Sequence, residues 1–280
     1  MSQHSLEDWS GGADGASTTG RSESAATSVR TDLPETCLSF EIRGPWAHFR
    51  RIEGNIVKQT YRIPPRTTVA GIVAAMLGLS RDSYYDAFGP ESSRVAIEPI
   101  EELRTMNVPQ NTLSTAKEHL KTIPSRGHAR VSLPDPTELR QQHNYELLVD
   151  PAYRIDLQLA DEELFDHLRN RLETGTSHYP PSLGLSEHLA EVKFLGSFEV
   201  QERDPETVRV DSVVVNATDD VQVEAGKRVR VERSPGYMAA DEDGRTTTDF
   251  LSVAYSPDGE PLLVTDATTA QVDDRRVMFS

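Results

Sequence analysis

The sequence predicts an α+β protein in which strands outnumber helices. Alternating apolar residues near residue 40 indicate a strand, and two later stretches have the spacing of apolar residues that is typical of helices. A series of short, Val-rich stretches in the last third is typical of further strands. The 280 residues suffice for one large domain or two small ones.

Residues 1–34 are predicted to be a disordered acidic tail. They are rich in Ser, Thr, Gly, Ala and acidic residues and have no apolar periodicity, so they bury too little surface to offset the entropy lost on ordering. Order is expected to begin at Thr36. From there Leu38, Phe40 and Ile42 alternate with polar residues as in a half-buried strand, which Gly44 ends.

A helix and two strands are predicted next. Apolar residues from Val69 to Leu77 have helical spacing, with Thr67 or Thr68 as the N-cap. Strands are expected over residues 94–100 and 104–113. The order strand, helix, strands is the opening of a ferredoxin-like α+β unit.

The rest of the chain divides into an insertion, a second helix and a β-rich end. Residues 121–142 contain Pro and Gly and little periodicity, which predicts an extended or mobile insertion. Asp161 is expected to cap a helix that continues through Leu172. Strands are predicted near residues 145–148, 153–159, 192–201, 207–215, 227–234, 250–255 and 261–265, with a short helix after Gly184. The predicted domains are residues 35–175 and a β-rich region over residues 176–280.

The charge is strongly negative but unevenly distributed. The chain has 45 acidic and 29 basic residues, a net charge of -16, and only five of the basic residues are lysines. This composition favours a halophile, with a cytoplasm of very high salt. Between Phe40 and Ala70, however, six basic residues face two acidic ones, a local charge of +4. That segment is where a nucleic acid is expected to bind.

Several classes of protein are disfavoured. Cys37 is the only cysteine, so an intrachain disulfide and a cysteine zinc site are excluded. No apolar run is long enough for a membrane span and no secretory signal is visible, which predicts a cytoplasmic protein with no membrane partner. The common phosphate-loop, dinucleotide, hydrolase and metalloprotease motifs are absent from the sequence, so no cofactor, no metal and no catalytic residue are predicted.

Basic and aromatic residues interleave in the segment from Gly44 to Gly71. Proteins that bind single-stranded RNA use such a mixture, because Arg and Lys pair with phosphates while aromatic rings stack on unpaired bases. The start of the following helix adds free N–H groups and a positive dipole end. The alternative is that the rings are core and the arginines solvated. The candidate RNA-binding residues are Arg43, His48, Phe49, Arg50, Arg51, Lys58, Tyr61, Arg62 and Arg66.

These residues resemble the CRISPR-associated Cas-five family of the RAMP superfamily. The matching pattern comprises Gly44-Pro45, Ala47, His48, Phe49, Arg50, Thr60-Tyr61, Pro64-Pro65, Thr67-Thr68, Gly71, Leu77-Gly78, Arg81, Tyr84, Tyr85 and Phe88. A second patch, residues 179–184 with Ser186 and Ala190, is similar to a Pro-Leu-Gly segment of the type I-B branch. Together the two patches cover most of residues 37–195.

The resemblance implies both a fold and a role in antiviral defence. The fold would be a ferredoxin-like (RAMP/RRM-like) domain with a β-hairpin thumb near residues 105–145 and a smaller β-rich C-terminal region. The role would be that of a non-catalytic Cascade subunit that binds the 5′ handle of crRNA. Its partners would be Cas-seven backbone subunits, the Cas-eight large subunit, target DNA near the PAM and possibly Cas-six.

Two alternatives to this role stay open at this stage. One branch of the same family cleaves repeat RNA without a metal, for which a base and a cation are required. Tyr61, His48, Lys117 and His119 could supply such a set, although Lys117 and His119 are not adjacent as in that branch. The other alternative is an adaptor that contacts only proteins. The local basicity between Phe40 and Ala70 speaks against the adaptor.

Overall fold

The computed structural model describes residue 33 and residues 35–51, 57–113, 121–125, 128–132, 140–241 and 244–280. The predicted tail therefore lies outside the described residues, except for residue 33. The α-helices among these residues are α1 (Arg66–Leu77) and α2 (Glu162–Thr174). The strands are β1 (Thr36–Arg43), β2 (Trp46–Ala47), β3 (Phe49–Arg50), β4 (Val57–Lys58), β5 (Thr60–Tyr61), β6 (Ser93–Pro99), β7 (Arg104–Leu113), β8 (Lys121–Ser125), β9 (His128–Ser132), β10 (Arg140–Val149), β11 (Ala152–Leu159), β12 (Glu191–Val210), β13 (Val214–Val215), β14 (Val221–Gln222), β15 (Arg230–Asp241), β16 (Gly244–Tyr255), β17 (Leu262–Val272) and β18 (Arg275–Val277).

The central sheet is built around β1. This strand pairs antiparallel with β11 on one side and with β12 on the other, and β6 pairs with the far edge of β11. The order across the sheet is β6-β11-β1-β12, and it continues through β17 to β14. Along the chain, the elements of this part follow as strand, helix, strand, strand, helix, strand. Strand predominance, as predicted, is confirmed.

Strand β1 has the predicted bounds but is buried on both faces. Leu38, Phe40 and Ile42 belong to the main core with α1 and α2, whereas Cys37 belongs to a separate cluster with residues of β17 and β18. The strand was predicted to be half-buried. The second face is covered because the last strands of the chain pack against it, which local alternation alone does not reveal.

Helix α1 begins earlier than predicted. Its N-cap is Pro65, with no side-chain cap, so neither Thr67 nor Thr68 has that role. The fixed φ of proline suits the start of a helix. The helix ends, as expected, at Gly78, whose left-handed conformation allows its N–H to bond back to the last turn.

Helix α2 confirms its predicted cap. The Asp161 side chain accepts a hydrogen bond from the Leu164 N–H, and Gly175 closes the helix in a left-handed conformation. Its buried residues are Phe165, Leu168 and Leu172. The helix contacts α1, β11 and β12, so both helices cover the same face of the central sheet.

Strands β7 and β10 form a long antiparallel pair. Strand β7 pairs with β10 over its whole length, from Arg104 opposite Val149 to Leu113 opposite Arg140. Between them β8 pairs with β9. The described part of the predicted insertion is therefore extended. Residues 114–120, 126–127 and 133–139 lie outside the described residues.

The C-terminal region shares a strand with the first sheet. Two strands were predicted over 192–201 and 207–215, but β12 is one strand of 20 residues. Its first half pairs with β1 and its second half with β17. The boundary predicted between residues 175 and 176 does not separate two domains, because the sheet continues across it. The described residues from 35 onward belong to one compact unit.

A buried ion network fastens β18 to the back of the sheet. The Arg275 guanidinium donates to both Asp156 oxygens, at 2.8 and 2.9 Å, and to Glu98 at 2.7 Å. Ser39 of β1 also donates to Asp156. Asp156 is 1% exposed, so water does not compensate for the loss of a partner.

We expect Asp156→Ala to lower the free energy of unfolding by about 3–5 kcal/mol, because it leaves the Arg275 charge buried with one partner fewer. Urea denaturation measures this change. The control is Glu224→Gln, which breaks an exposed ion pair with Arg209. Equal denaturation midpoints for the two variants would contradict the structural role of the network.

Candidate nucleic-acid interface

Two loops distant in sequence meet at the candidate site. The His48 N–H donates to the Leu183 carbonyl at 3.0 Å. Gly184 has a φ of 95°, and a Cβ there would lie 2.0 Å from the His48 carbonyl oxygen. Only glycine permits this approach. The two patches noted in the sequence, near residues 44–51 and 179–190, are therefore brought together, and the predicted short helix after Gly184 is replaced by a turn.

A cleft of about 660 Å³ opens beside this contact, and we call it the α1 cleft. It lies between the two loops, the first turns of α1 and the β15–β16 hairpin. Its lining residues are His48, Phe49, Arg50, Thr68, Gly71, Ile72, Ala75, Ser182, Gly184, Leu185, Met238 and Arg245.

The α1 cleft is electropositive. Arg50 is exposed and forms no ion pair within the described part of the chain. Arg245, also exposed, lies 3.5 Å from the Asp82 carboxylate. The first turn of α1 contains no acidic residue, and the positive end of its dipole favours an anion; its residue in the lining, Thr68, donates its N–H to the Pro65 carbonyl at 2.7 Å. The cleft therefore combines two exposed guanidinium groups, one of them paired with Asp82, with the side of the first turns of α1.

His48 is a buried, neutral side chain in the wall of the cleft. It is 1% exposed, and its Nδ1 donates to the Glu146 carbonyl at 2.9 Å. Its ring meets the Tyr145 ring edge-on at 5.3 Å. Burial lowers the pKa of His48 below its usual value of 6.5. His48 therefore positions the loop and is not a cation for phosphate at neutral pH.

Three predicted contacts are revised because their side chains are enclosed. Phe49 and Tyr61 are 1% and 6% exposed, and both belong to the main core. Arg66 is 3% exposed and donates to the carbonyls of Phe88 and Ser93, with its guanidinium 4.3 Å from the centre of the Tyr237 ring. A base or phosphate cannot reach these groups in this arrangement, so they leave the candidate set.

The remaining predicted residues lie at separate places. Arg43 is exposed at the end of β1 and pairs with Glu41. Lys58 is half-buried in β4, beside β10. Arg51 and Arg62 line a second cavity of about 370 Å³. Of the nine predicted residues, the α1 cleft brings together His48, Phe49 and Arg50.

Sequence reasoning missed the contribution of the C-terminal hairpin. Arg245 and Met238 line the α1 cleft, and Arg230 lines the second cavity. Arg245 is an isolated basic residue in an acidic stretch, whereas Arg230 belongs to the basic segment 227–233, which the sequence reasoning did not single out. Only the pairing of β15 with β16 and their packing on α1 bring these residues to the site.

The described residues include no group of three or more His, Cys, Asp or Glu side chains placed to hold a metal ion. Nor is any described helix long and apolar enough to cross a membrane.

The chain matches a family model described as "CRISPR-associated protein (Cas_Cas5)" over residues 37–264. This range covers well over half of the sequence and includes both loops of the α1 cleft. The protein is a CRISPR-associated protein. It belongs to the Cas_Cas5 family.

The chain is similar to solved structures, of which the first shares its fold. One, titled "CRISPR RNA-guided surveillance complex", superposes with a TM-score of 0.51 at 13% identity, covering 82% of this chain and 91% of that one. A CRISPR protein from Archaeoglobus fulgidus gives a TM-score of 0.49 at 12% identity, covering 86% and 98%. A search of curated protein sequences finds no match.

The contact at Gly184 makes a direct prediction. We expect Gly184→Ala to destabilise the protein by more than about 2 kcal/mol, because a left-handed backbone and a clash with the His48 carbonyl act together. Gly226→Ala is the control, since Gly226 also has a positive φ but nothing within 4 Å of its Cβ position. Thermal denaturation of both variants separates the cost of the clash from the cost of the left-handed backbone. Equal losses of stability in the two variants would contradict the predicted clash.

Burial of His48 predicts a pH dependence. Because its folded pKa lies below the unfolded value of 6.5, the unfolded chain binds a proton first as the pH falls. Stability is complete above pH 6.5 and decreases below it, until the folded pKa is reached. We expect His48→Asn to reduce the pH dependence of the urea denaturation midpoint between about pH 5 and pH 6.5. An unchanged slope would show that His48 is not buried in its neutral form.

Proposed function

We propose that this protein is an RNA-binding subunit of a CRISPR interference complex, which holds the 5′ handle of crRNA in the α1 cleft. The observation that carries the proposal is the convergence of the two family-like loops on one electropositive cleft. Arg50 and Arg245 supply cations there, and the positive end of the α1 dipole adds to their field. The family assignment supports a role in CRISPR defence, and the geometry supports RNA as the ligand.

The strand order supports a ferredoxin-like core. The sequence of elements and the order β6-β11-β1-β12 follow the β-α-β-β-α-β arrangement of that fold. We assign the hairpin of β7 and β10, with β8 and β9, to the thumb. The long exposed strands of the hairpin are suited to reach beyond the globular part of a subunit.

The proposed partners follow from the family resemblance. They are Cas-seven backbone subunits, a Cas-eight large subunit and target DNA near the PAM, in a complex of type I-B. The acidic composition suits a cytoplasm of high salt, where counterion release contributes little to affinity. Directional contacts from arginines and backbone N–H groups then supply a larger share of RNA binding.

We further propose that the subunit does not cleave RNA. The Tyr61 side chain is 6% exposed, and the His48 Nδ1–H donates a hydrogen bond to the Glu146 carbonyl. A general base must come within hydrogen-bond reach of the 2′-hydroxyl that it activates. Lys117 and His119 lie outside the described residues. Incubation with repeat RNA in chelator tests this proposal; cleavage that is lost in Tyr61→Phe would overturn it.

Copurification tests the central proposal. Tagged full-length protein is recovered from its native cells at native salt, and the accompanying RNA and proteins are sequenced and identified. We expect short RNAs that share one 5′ segment, together with Cas-seven-like and Cas-eight-like proteins. Recovery of these proteins without RNA would favour a protein-only adaptor, and recovery of neither would reject the proposal.

The α1 cleft is tested by substitution. We expect Arg50→Gln and Arg245→Gln each to weaken binding of the recovered RNA about tenfold, because each removes a charge-assisted contact to phosphate. The control is Arg169→Gln on α2, an exposed arginine paired with Asp166 and remote from the cleft lining. Fluorescence anisotropy at fixed salt measures the affinities. Equal affinities of all three variants and the wild type would exclude the cleft.

A further inference from the structure

The second cavity lies between the loop that follows β3 and the C-terminal hairpin. Its volume of about 370 Å³ is within the range of small-ligand sites. Its lining residues are Arg51, Gln59, Arg62, Glu146, Arg230, Val231, Glu232 and Tyr255. Three guanidinium groups, two carboxylates and an amide therefore face one space.

Part of this lining is fixed by internal bonds. Arg62 donates to both oxygens of Glu146, at 3.1 and 2.7 Å, and to the Thr60 carbonyl at 2.8 Å. The Glu232 carboxylate, 9% exposed, accepts the Arg62 backbone N–H at 2.9 Å. Burial raises the pKa of Glu232 above its usual range. These bonds hold two walls of the cavity in place before any ligand binds.

The other two guanidinium groups form no salt bridge with a described residue. Arg51 lies over the Tyr61 ring, 5.1 Å from its centre, and has no carboxylate within 4 Å among the described residues. Arg230 is exposed and is likewise without an ion pair in the part of the chain that the structure describes. Neither Arg51 nor Arg230 has a salt bridge to a described carboxylate, although the chain has a net charge of -16. They are available for an anion.

The net charge of the cavity lining indicates the charge of the ligand. Arg62 and Glu146 neutralise each other, and an ionised Glu232 offsets one of the two free arginines. One positive charge remains, which a single phosphodiester balances. Planar guanidinium groups match the geometry of phosphate oxygens and bind them in pairs.

We propose that this cavity is a second phosphate subsite, in which Arg51 and Arg230 grip one phosphodiester of the bound RNA outside the α1 cleft. The inference rests on the proposed RNA-binding function. Its consequence is that the C-terminal hairpin contacts RNA at both ends, through Arg230 at one and Arg245 at the other. The hairpin thereby fixes the path of the strand across the subunit.

Neutral RNA linkages provide the test. The probe is a synthetic copy of the copurified 5′ segment in which one phosphodiester at a time is replaced by methylphosphonate. For the full-length wild type, we expect one linkage whose neutralisation weakens binding about tenfold. In Arg230→Gln the same replacement should cost less than about twofold, since the two changes remove one contact. Arg51→Gln provides a second, independent variant.

Salt dependence gives a second readout. We expect Arg230→Gln to reduce the slope of log affinity against log salt by about 0.7, the value for one phosphate of a single strand. The matched control is Arg209→Gln, whose exposed guanidinium is already committed to Glu224. It should leave both the slope and the linkage profile unchanged.

Three results would overturn the subsite. If the wild type binds RNA and Arg50→Gln weakens binding, but no linkage couples to Arg230 or Arg51, only the second subsite fails. If inorganic phosphate raises the melting temperature of the wild type but not of Arg230→Gln, and no linkage couples, the cavity binds free phosphate and not RNA. If the wild type binds no RNA, the proposed function fails together with this inference.

Discussion

The close approach of the Gly184 backbone to the His48 carbonyl is the constraint on which the site depends. It presses the turn at residues 182–185 against the strand that carries Phe49 and Arg50, and thereby closes one wall of the α1 cleft. His48 can enter the core there because its Nδ1 finds the Glu146 carbonyl. Arg50, two residues along the same loop, is left facing solvent. This backbone contact thus holds the loop so that His48 is buried and Arg50 is exposed.

Local patterns predicted the elements whose signals are local. The bounds of β1 and the Asp161 cap of α2 follow from alternation and from capping chemistry. Strand β12 was predicted as two strands, and Pro205 lies in the gap between them, where the structure shows a register shift between Arg203 and Glu206. The strand nevertheless continues, since a bulge tolerates a residue that donates no hydrogen bond.

The candidate site was predictable only in part, because local sequence does not show which of its side chains are buried. Interleaved basic and aromatic residues have the same composition whether they point inward or outward. The structure places Phe49 and Tyr61 in the core and leaves Arg50 and Arg51 at the cavities. Arg245 and Arg230 join them only through the pairing of β15 with β16. Such long-range pairing leaves no trace in a window of neighbouring residues.

Strand β1 has a consequence for synthesis of the chain on the ribosome. Its partners β11 and β12 end more than a hundred residues later, and Arg275, which closes the back of the sheet, is later still. At typical elongation rates the edges of β1 stay unpaired for roughly ten seconds. Nascent chains with open strand edges are prone to aggregate. We therefore expect production of this protein to depend on translation speed and on chaperones that shield its first strand.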